Sequence, residues 1–489
     1  MNSALIIVAL GFVAAVVLGS FAKAGQKMNL EQWTVGGRGF GTILMFILMA
    51  GELYTTFTFL GASGLTYSKG AAAYYVLCYL PLMYALSYWL FPAIWAYANE
   101  KRLVSQPDFF VAKYGSKLLG ILVALVGIAA LVPYLVLQFK GLAIIVNTTS
   151  YGAISREWAV WIGAVAITVY VMISGVRGSA WTAVLKDVAI LVIVVFLGIY
   201  LPLHYYGGLG NMFSAIEVAK PGFFELPKAG SNAVWFGSTV LLSALGGCMW
   251  PHAFGSAYAA RDPEAFRRNA ITLPLYQLMI LFVLMAGFAA VLQVPGLTGS
   301  DVDLALFKVV TATFDPWFVG AIGAAGVLTA LVPSSIFLVS SATLLANNIY
   351  RPLRSDVGDA ATARIAKSCV PLIALVCVFF TLDGSDTIVA LLLMGYNLVT
   401  QLFPSFIGSL FAKNPINRYG AIAGILAGIG AVAIISLEKF TLVQLLPWLP
   451  ASLQDINIGF VALLLNVATA LLVSFVVNVF APHCAVRNA

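Results

Sequence analysis

The chain alternates between long apolar runs and short polar ones. A helix rises about 1.5 Å per residue, so about twenty apolar residues in a row cross the hydrocarbon core of a bilayer. Thirteen such runs stand out, near 3–22, 41–62, 72–97, 118–147, 159–175, 182–205, 234–255, 271–293, 317–346, 365–382, 388–412, 417–436 and 457–480. They predict an all-α polytopic membrane protein of about thirteen transmembrane helices. The second and seventh runs are interrupted by residues that a plain membrane helix does not need. The longest connection, roughly 206–233, carries Gly, Pro and mixed charge and is too short for a soluble domain.

Composition agrees with this pattern. Of 489 residues, 61% are hydrophobic and 9% charged, and the mean hydropathy is +0.98. That excludes a soluble core. A net charge of +7 could suggest nucleic acid, but the basic residues sit in short loops between apolar runs. With the N-terminus outside, nineteen Lys and Arg fall in inside loops and six outside, and Lys140 alone is left within a span. The inside set includes Lys186. Basic residues favour the cytoplasmic side, so the asymmetry predicts a multi-pass inner-membrane protein with its N-terminus out and its C-terminus in. Residues 3–22 lack a basic leader and a cleavage site and are expected to be a retained helix. The five cysteines, Cys78, Cys248, Cys369, Cys377 and Cys484, have no metal-ligand spacing and are expected to be small buried hydrophobes. Residues 420–430 repeat small residues every four positions, a flat face for helix packing inside the monomer or at a dimer seam.

The chemistry concentrates at the two interruptions. In the second run, Gly51, Glu52, Tyr54, Thr55, Thr56, Phe57 and Thr58 follow one another closely, with Gly61 and Gly64 after them. Irregular backbone survives in a membrane only where it lines a cavity or an ion site, and a carboxylate at that depth is a functional hypothesis. The seventh run reads Leu245-Gly-Gly-Cys-Met-Trp250-Pro251-His252, where Pro251 removes a backbone donor and the glycines make unwinding cheap. Packing kinks would explain either break alone. The two lie five spans apart, however, and an odd shift inverts direction in the membrane. Five helices followed by five inverted ones, each set opening on a broken helix, is the inverted-repeat transporter pattern. The expected organisation is an extra helix and loop over 1–40, a first repeat over 41–205, an outer loop over 206–233, a second repeat over 234–412, and two further helices over 413–489. The ninth run adds the hydroxyls of Thr329, Ser334 and Ser335, hard oxygen ligands of the kind Na⁺ prefers; a serine pair more often bonds back to its own helix, but Pro333 frees a carbonyl nearby.

These features resemble the sodium:solute symporter family. The resemblance rests on Trp33-Thr-Val-Gly-Gly-Arg38 through Gly70, Pro133-Tyr134 through Gln138-Phe-Lys140-Gly, Gly175-Val-Arg-Gly, Lys186-Asp187, Trp250-Pro251-His252, Asn348-Ile-Tyr350-Arg351 and Tyr396-Asn397…Gln401…Pro404, over nearly the whole chain. It implies a leucine-transporter-type fold, Na⁺ as the co-transported ion and alternating access. It also implies a sodium site built from the carbonyls of Gly51, Tyr54 and Leu331 and the hydroxyls of Ser334 and Ser335; if the register shifts by one, Ala330 and Ser334 serve instead and one hydroxyl is lost. Asp187 matches an aspartate of a second sodium site. Phe337 and Leu338 stand where its hydroxyls would be, so one Na⁺ per cycle is expected, with Asp187 lining the ion exit or neutralising Lys186.

The substrate is expected between the breaks, touched by Glu52, Thr55, Phe57, Gln138, Lys140, Trp250, His252, Tyr396 and Gln401. Lys140 should neutralise Glu52 or meet an anionic substrate, since a buried ammonium needs a partner. The aspartates of 294–316 read as solvated. The resemblance is nearest to monocarboxylate and pantothenate permeases, which implies Na⁺-coupled uptake of a small organic anion, a monocarboxylate first. The alternatives are H⁺ coupling through Glu52, or a pantothenate- or amino-acid-type symporter. No nucleic acid and no obligatory protein partner are expected; the partners are the solute and the lipid bilayer. A membrane enzyme is disfavoured because no catalytic pairing or metal spacing appears. A sensor would need an appended signalling domain, and Ala489 follows shortly on the last span.

Overall fold

A computed structural model describes residues 2–23, 30–354, 357–438, 440, 442–445 and 447–480. Lys27, Lys439, Cys484 and Arg487, used above for charge and cysteine counting, lie outside the described residues. The described chain is helical, with one isolated bridge between Phe40 and Ala260.

Among the described residues eleven helices are long and apolar enough to cross a membrane, and twelve if one bent pair is counted as a span. One of the eleven, Phe57–Lys101, is 45 residues long. At about 1.5 Å per residue it is twice what a bilayer needs. It divides at Gly70, whose φ is +54°. Its first part continues the short apolar helix Thr42–Leu53 across a break. Thirteen passes result, matching the hydropathy pattern. They are α1 (Ser3–Lys23), α2a (Thr42–Leu53) with α2b (Ala62–Lys69), α3 (Tyr75–Lys101), α4 (Lys117–Thr149), α5 (Arg156–Val176), α6 (Gly178–Tyr206), α7a (Ala233–Gly247) with α7b (Pro251–Ala259), α8 (Glu264–Gln293), α9 (Pro316–Leu353), α10 (Asp359–Asp383), α11 (Ile388–Gly408), α12 (Arg418–Leu437) and α13 (Ile458–Phe480).

Local chemistry explains the joints. The continuous backbone from α5 into α6 bends at Gly175, which takes φ +58° and ψ −172°, a conformation an L side chain resists. Gly70 is still more constrained, because a Cβ there would lie 2.0 Å from the Phe223 carbonyl oxygen. That contact, with the Ala71 N–H bonded to the same oxygen at 3.2 Å, ties the outer loop down over α3. Asn232 caps α7a by accepting from the Val234 and Trp235 amides, and Asn417 caps α12 in the same way.

The core lies where α2, α4, α7, α9 and α11 meet. α9 is the most enclosed, with 94% of its apolar window inside the protein. The peripheral helices keep large apolar side chains outside, such as Phe379 at 64% and Phe475 at 65% exposure. In lipid this is the expected arrangement, since hydrocarbon offers no reason to hide them.

The small-residue face of α12 packs inside the monomer. A Cβ on Gly424 would lie 2.6 Å from Asn466 Oδ1 and 2.7 Å from Ala470 Cβ, both on α13. Gly424→Leu is therefore expected to lower stability by about 1–3 kcal/mol through overpacking, without changing the oligomeric state. Thermal unfolding and size-exclusion chromatography of the variant check this. A changed particle size at unchanged stability would place the face at a seam between copies.

Candidate functional site

The α2 break begins where α2a ends at Leu53. Tyr54 leaves the helix with ψ +87°, and the next turn is held by side chains. Thr58 Oγ1 accepts the Thr55 amide at 2.8 Å and donates to the Thr55 carbonyl at 2.8 Å, and Thr55 Oγ1 accepts the Phe57 amide at 3.1 Å. Gln138 of α4 completes the repair, with its Oε1 accepting from the Thr56 amide at 3.2 Å and the Thr56 hydroxyl at 2.9 Å. Thus two predicted contact residues, Thr55 and Gln138, have backbone-capping partners.

The α7 break is a 44° bend between α7a and α7b. Its freed Met249 carbonyl accepts from Gln106 Nε2 at 2.6 Å. Trp250 and His252 stack here with centroids 5.6 Å apart, and Tyr134 and Phe337 close the other side of the imidazole at 6.0 and 4.5 Å. Tyr396 of α11 packs edge-on against Trp250 at 5.3 Å. Gly395 allows that approach, since a Cβ there would lie 2.6 Å from the Trp250 ring. The indole Nε1 and the imidazole Nδ1 are buried without a protein partner.

The two breaks meet. The Ser256 hydroxyl, one turn beyond His252 on α7b, donates a short hydrogen bond to Glu52 Oε1. Glu52 is 4% exposed. Around this contact Met49, Glu52, Tyr134, Trp250, His252 and Ser256 line a cavity of about 20 Å³, room for about one water. Among the predicted substrate contacts, then, Glu52, Trp250 and His252 line one cavity. Tyr396 and Gln138 stand behind it, and Phe57 is buried beside Gly61 and Ile388.

Two predicted contacts are elsewhere. Lys140 neither neutralises Glu52 nor faces the cavity. Its ammonium pairs with Asp303 at 2.8 Å and donates to the Asp386 carbonyl at 2.5 Å. Asp303 is 1% exposed, so the reading of it as a solvated loop aspartate is corrected too. A buried carboxylate needs a cation, and the loop before α9 folds inward to supply one partner to the other. Gln401 bonds the Asn397 and Gly459 carbonyls at 3.0 and 3.1 Å and holds α11 against α13.

The expected sodium ligands separate into two groups. The Gly51 and Tyr54 carbonyls converge, and both accept from Lys186 Nζ at 2.9 Å. Asp187 Oδ1 lies 3.0 Å from the same nitrogen. Lys186 is fully buried, eight residues into α6, and not in the inside loop where the charge count put it. The asymmetry survives its removal at eighteen to six. Leu331, Ser334 and Ser335 are buried on α9, which does pass beside α2a: a Cβ on Gly51 would lie 3.6 Å from Val332. Their hydroxyls are engaged elsewhere, Ser334 with its own Ala330 carbonyl at 2.6 Å and Ser335 with Ser179 at 2.6 Å. Among the described residues no group of His, Cys, Asp and Glu could hold a metal.

Sequence reasoning missed Ser256, Lys186 as a membrane-depth group, Asp303 and Gly395. Ser256 had a usable signal, since it follows His252 by four residues on one helix face. Lys186 had one as well, because it lies inside the run 182–205.

Known proteins share this architecture. The chain superposes on a Na⁺-coupled sialic acid symporter solved in a substrate-bound outward-open state, with a TM-score of 0.80 at 14% identity over 98% of both chains. At that identity the likeness establishes the leucine-transporter-type inverted-repeat fold. In sequence it is 58% identical over 474 residues, 97% of each chain, to the uncharacterized symporter YhjB of Bacillus subtilis strain 168. It is 28% identical over 491 residues, 96% of each chain, to a monocarboxylate transport permease protein of Rhizobium johnstonii. The model of the sodium:solute symporter family matches residues 33–428, a stretch that contains both broken helices and the Lys186 cluster. Fold, breaks and sequence agree: the chain belongs to the sodium:solute symporter family, whose members are multi-pass membrane symporters and not enzymes.

Proposed function

We propose that this symporter imports a small organic anion, with a monocarboxylate as the first candidate, and that Na⁺ moving down its gradient drives it. The observation that carries this reading is the cavity where the two broken helices meet. As it stands it holds about one water, so a substrate needs it to widen; its largely apolar walls, with Met49, Tyr134 and Trp250, suit a short aliphatic acid once the two broken helices part. α7b begins there at Pro251, and a helix N-terminus is a favourable place for a carboxylate. The unpartnered nitrogens of Trp250 and His252 supply donors or acceptors at the same point. Resemblance to the Rhizobium permease favours the same class.

Charge bookkeeping supports cation coupling. Asp187 and Lys186 pair a carboxylate with an ammonium in one buried cluster, with the Glu52 carboxyl close by. An added anion is tolerated there only with an added cation, which couples the two solutes. The residues assigned to the work are Glu52, Trp250 and His252 for the substrate, and the α2 break with its neighbours on α6 and α9 for the ion. The repeats span 41–205 and 234–412, and rocking of one against the other would open the cavity to each side in turn. The inner membrane with the N-terminus outside is the placement that the basic loops favour.

The test is uptake into proteoliposomes of radiolabelled pyruvate, lactate, acetate, pantothenate, proline and glucose, under an inward Na⁺ gradient, an inward H⁺ gradient or neither. Accumulation of a carboxylate with Na⁺ alone is the expected result. Accumulation driven by H⁺ alone would sink the Na⁺ reading, and uptake of only the uncharged or zwitterionic solutes would sink the anion.

A further inference from the structure

The α2 break exposes carbonyls of the kind that hold a cation, and the chain supplies a cation of its own. We infer that Lys186 is a tethered occupant of the ion cage, and that Na⁺ enters only by displacing its ammonium from the Gly51 and Tyr54 carbonyls. This rests on the Na⁺-coupled reading above and deepens it, because it makes one side chain the competitor of the transported ion.

Three observations carry the inference. The first is coincidence of position. The two carbonyls to which Lys186 donates, at 2.9 Å each, are the two oxygens that the α2 break offers to an ion. Both converge on one cation, and an ion coordinated by both would compete for the ammonium's place. The second is the state of the α9 hydroxyls. Ser334 and Ser335 would serve Na⁺ as ligands but have no use for a donor that is already satisfied; each is turned to another oxygen, Ala330 O and Ser179 Oγ. A hydroxyl turns about its Cβ–Oγ bond, so the same serines can complete a cage once Na⁺ replaces the ammonium. The third is a place for the displaced group. Asp187 Oδ1 is 3.0 Å from Nζ and keeps the ammonium paired while the carbonyls change partner.

Other groups facing this cluster do not compete for the role. Tyr276 of α8 donates to the Asp187 backbone carbonyl at 3.1 Å and packs edge-on against Tyr54 at 4.8 Å. Lys140 is committed to Asp303. Lys186 alone among these basic groups reaches the α2 carbonyls.

The exchange has a selective consequence. Ions that take the cage must be small enough to replace one ammonium between two carbonyls and strong enough binders to displace a tethered one. A tethered competitor raises the Na⁺ concentration needed for half-occupancy, and removing it lowers that concentration.

The experiment measures Na⁺-dependent thermal stabilisation of the purified full-length protein in detergent, in NaCl against choline chloride at equal ionic strength. The proteins compared are wild type, Lys186→Ala, Lys186→Gln and the double variant Lys186→Ala/Asp187→Asn. The double variant removes the Asp187 charge together with the lysine that pairs with it, so it keeps the test usable if the single variants fold poorly. The expected result is that the lysine-free proteins reach half of their Na⁺-specific stabilisation at about tenfold less Na⁺ than wild type. The same Na⁺ response in wild type and in every foldable variant overturns the inference. Uptake by wild type in proteoliposomes is measured in parallel. If wild type shows no Na⁺-driven uptake, the symport reading fails, while the stabilisation comparison still decides whether Lys186 guards the cage.

Discussion

Lys140→Met is expected to destabilise the protein by about 3–5 kcal/mol, the usual cost of removing one partner from a buried ion pair. The cost arises at Asp303. Its carboxylate is 1% exposed, and besides the Lys140 ammonium it accepts the Ile388 amide at 3.0 Å. Without the lysine it keeps one amide donor for a full buried charge. The pair and the Lys140 bond to the Asp386 carbonyl join α4, the loop before α9 and the start of α11 at one point. Asp303→Asn should restore most of the lost stability in the Lys140→Met background, because it removes the stranded charge. A double-mutant cycle by thermal unfolding measures the coupling. If the two single losses simply add, the pair is not the cause.

The pH dependence has a definite sign. Burial holds the Asp303 pKa above the usual carboxylate value even with Lys140 beside it, and removing the lysine pushes it further up. A carboxyl with a raised folded-state pKa binds protons more tightly when folded. The stability of Lys140→Met should therefore fall as pH rises from the unfolded value toward the folded one, and recover on acidification. The double variant should lack that slope. It should also keep anion uptake, whereas a lysine that touched the substrate would take uptake away with it.

Glu52→Ala is expected to reduce uptake by at least about tenfold with a smaller loss of stability than Lys140→Met. The Ser256–Glu52 hydrogen bond joins α2a to α7b, one broken helix from each half of the protein. In the proposed alternating-access cycle these halves move against each other, so a bond between them stabilises some states over others. Removing Glu52 leaves the buried Ser256 hydroxyl without that acceptor, at a cost of about 1–3 kcal/mol, which corresponds to a shift of roughly 5–100-fold in such a balance. Ser256→Ala should act in the same direction and Glu52→Gln less strongly, since the amide oxygen can still accept. Initial rates in proteoliposomes, normalised to inserted protein, give the comparison. Wild-type rates for Glu52→Ala would make Glu52 a packing residue and remove it from the substrate site.

Both predictions concern residues that the hydropathy pattern had already marked as exceptions. Glu52 and Lys140 were conspicuous because an ionisable group in an apolar run is costly, so each needs a reason. The pattern did not show which partner supplied the reason. The nearest carboxylate for Lys140, judged by depth alone, was Glu52. The actual one belongs to a loop 163 positions downstream that folds inward. Ser334 and Ser335 illustrate the same limit. Their hydroxyl chemistry was legible, but the direction in which each hydroxyl turns depends on Ala330 and Ser179.

What the sequence determined by itself was therefore everything set by one-dimensional thermodynamics. Apolar length fixes the thirteen passes, since each must satisfy its backbone inside hydrocarbon. Pro251, Gly246 and Gly247, and the cluster from Gly51 to Thr58, fix where two of those passes come apart, because these residues weaken the helix locally. The tertiary structure alone decided the pairing of buried polar groups: Glu52 with Ser256, Lys140 with Asp303, Lys186 with Gly51, Tyr54 and Asp187. The physical reason is that a buried charge or hydroxyl is stabilised by whichever partner lies within about 3 Å, and that distance is set by how helices far apart in the chain pack together.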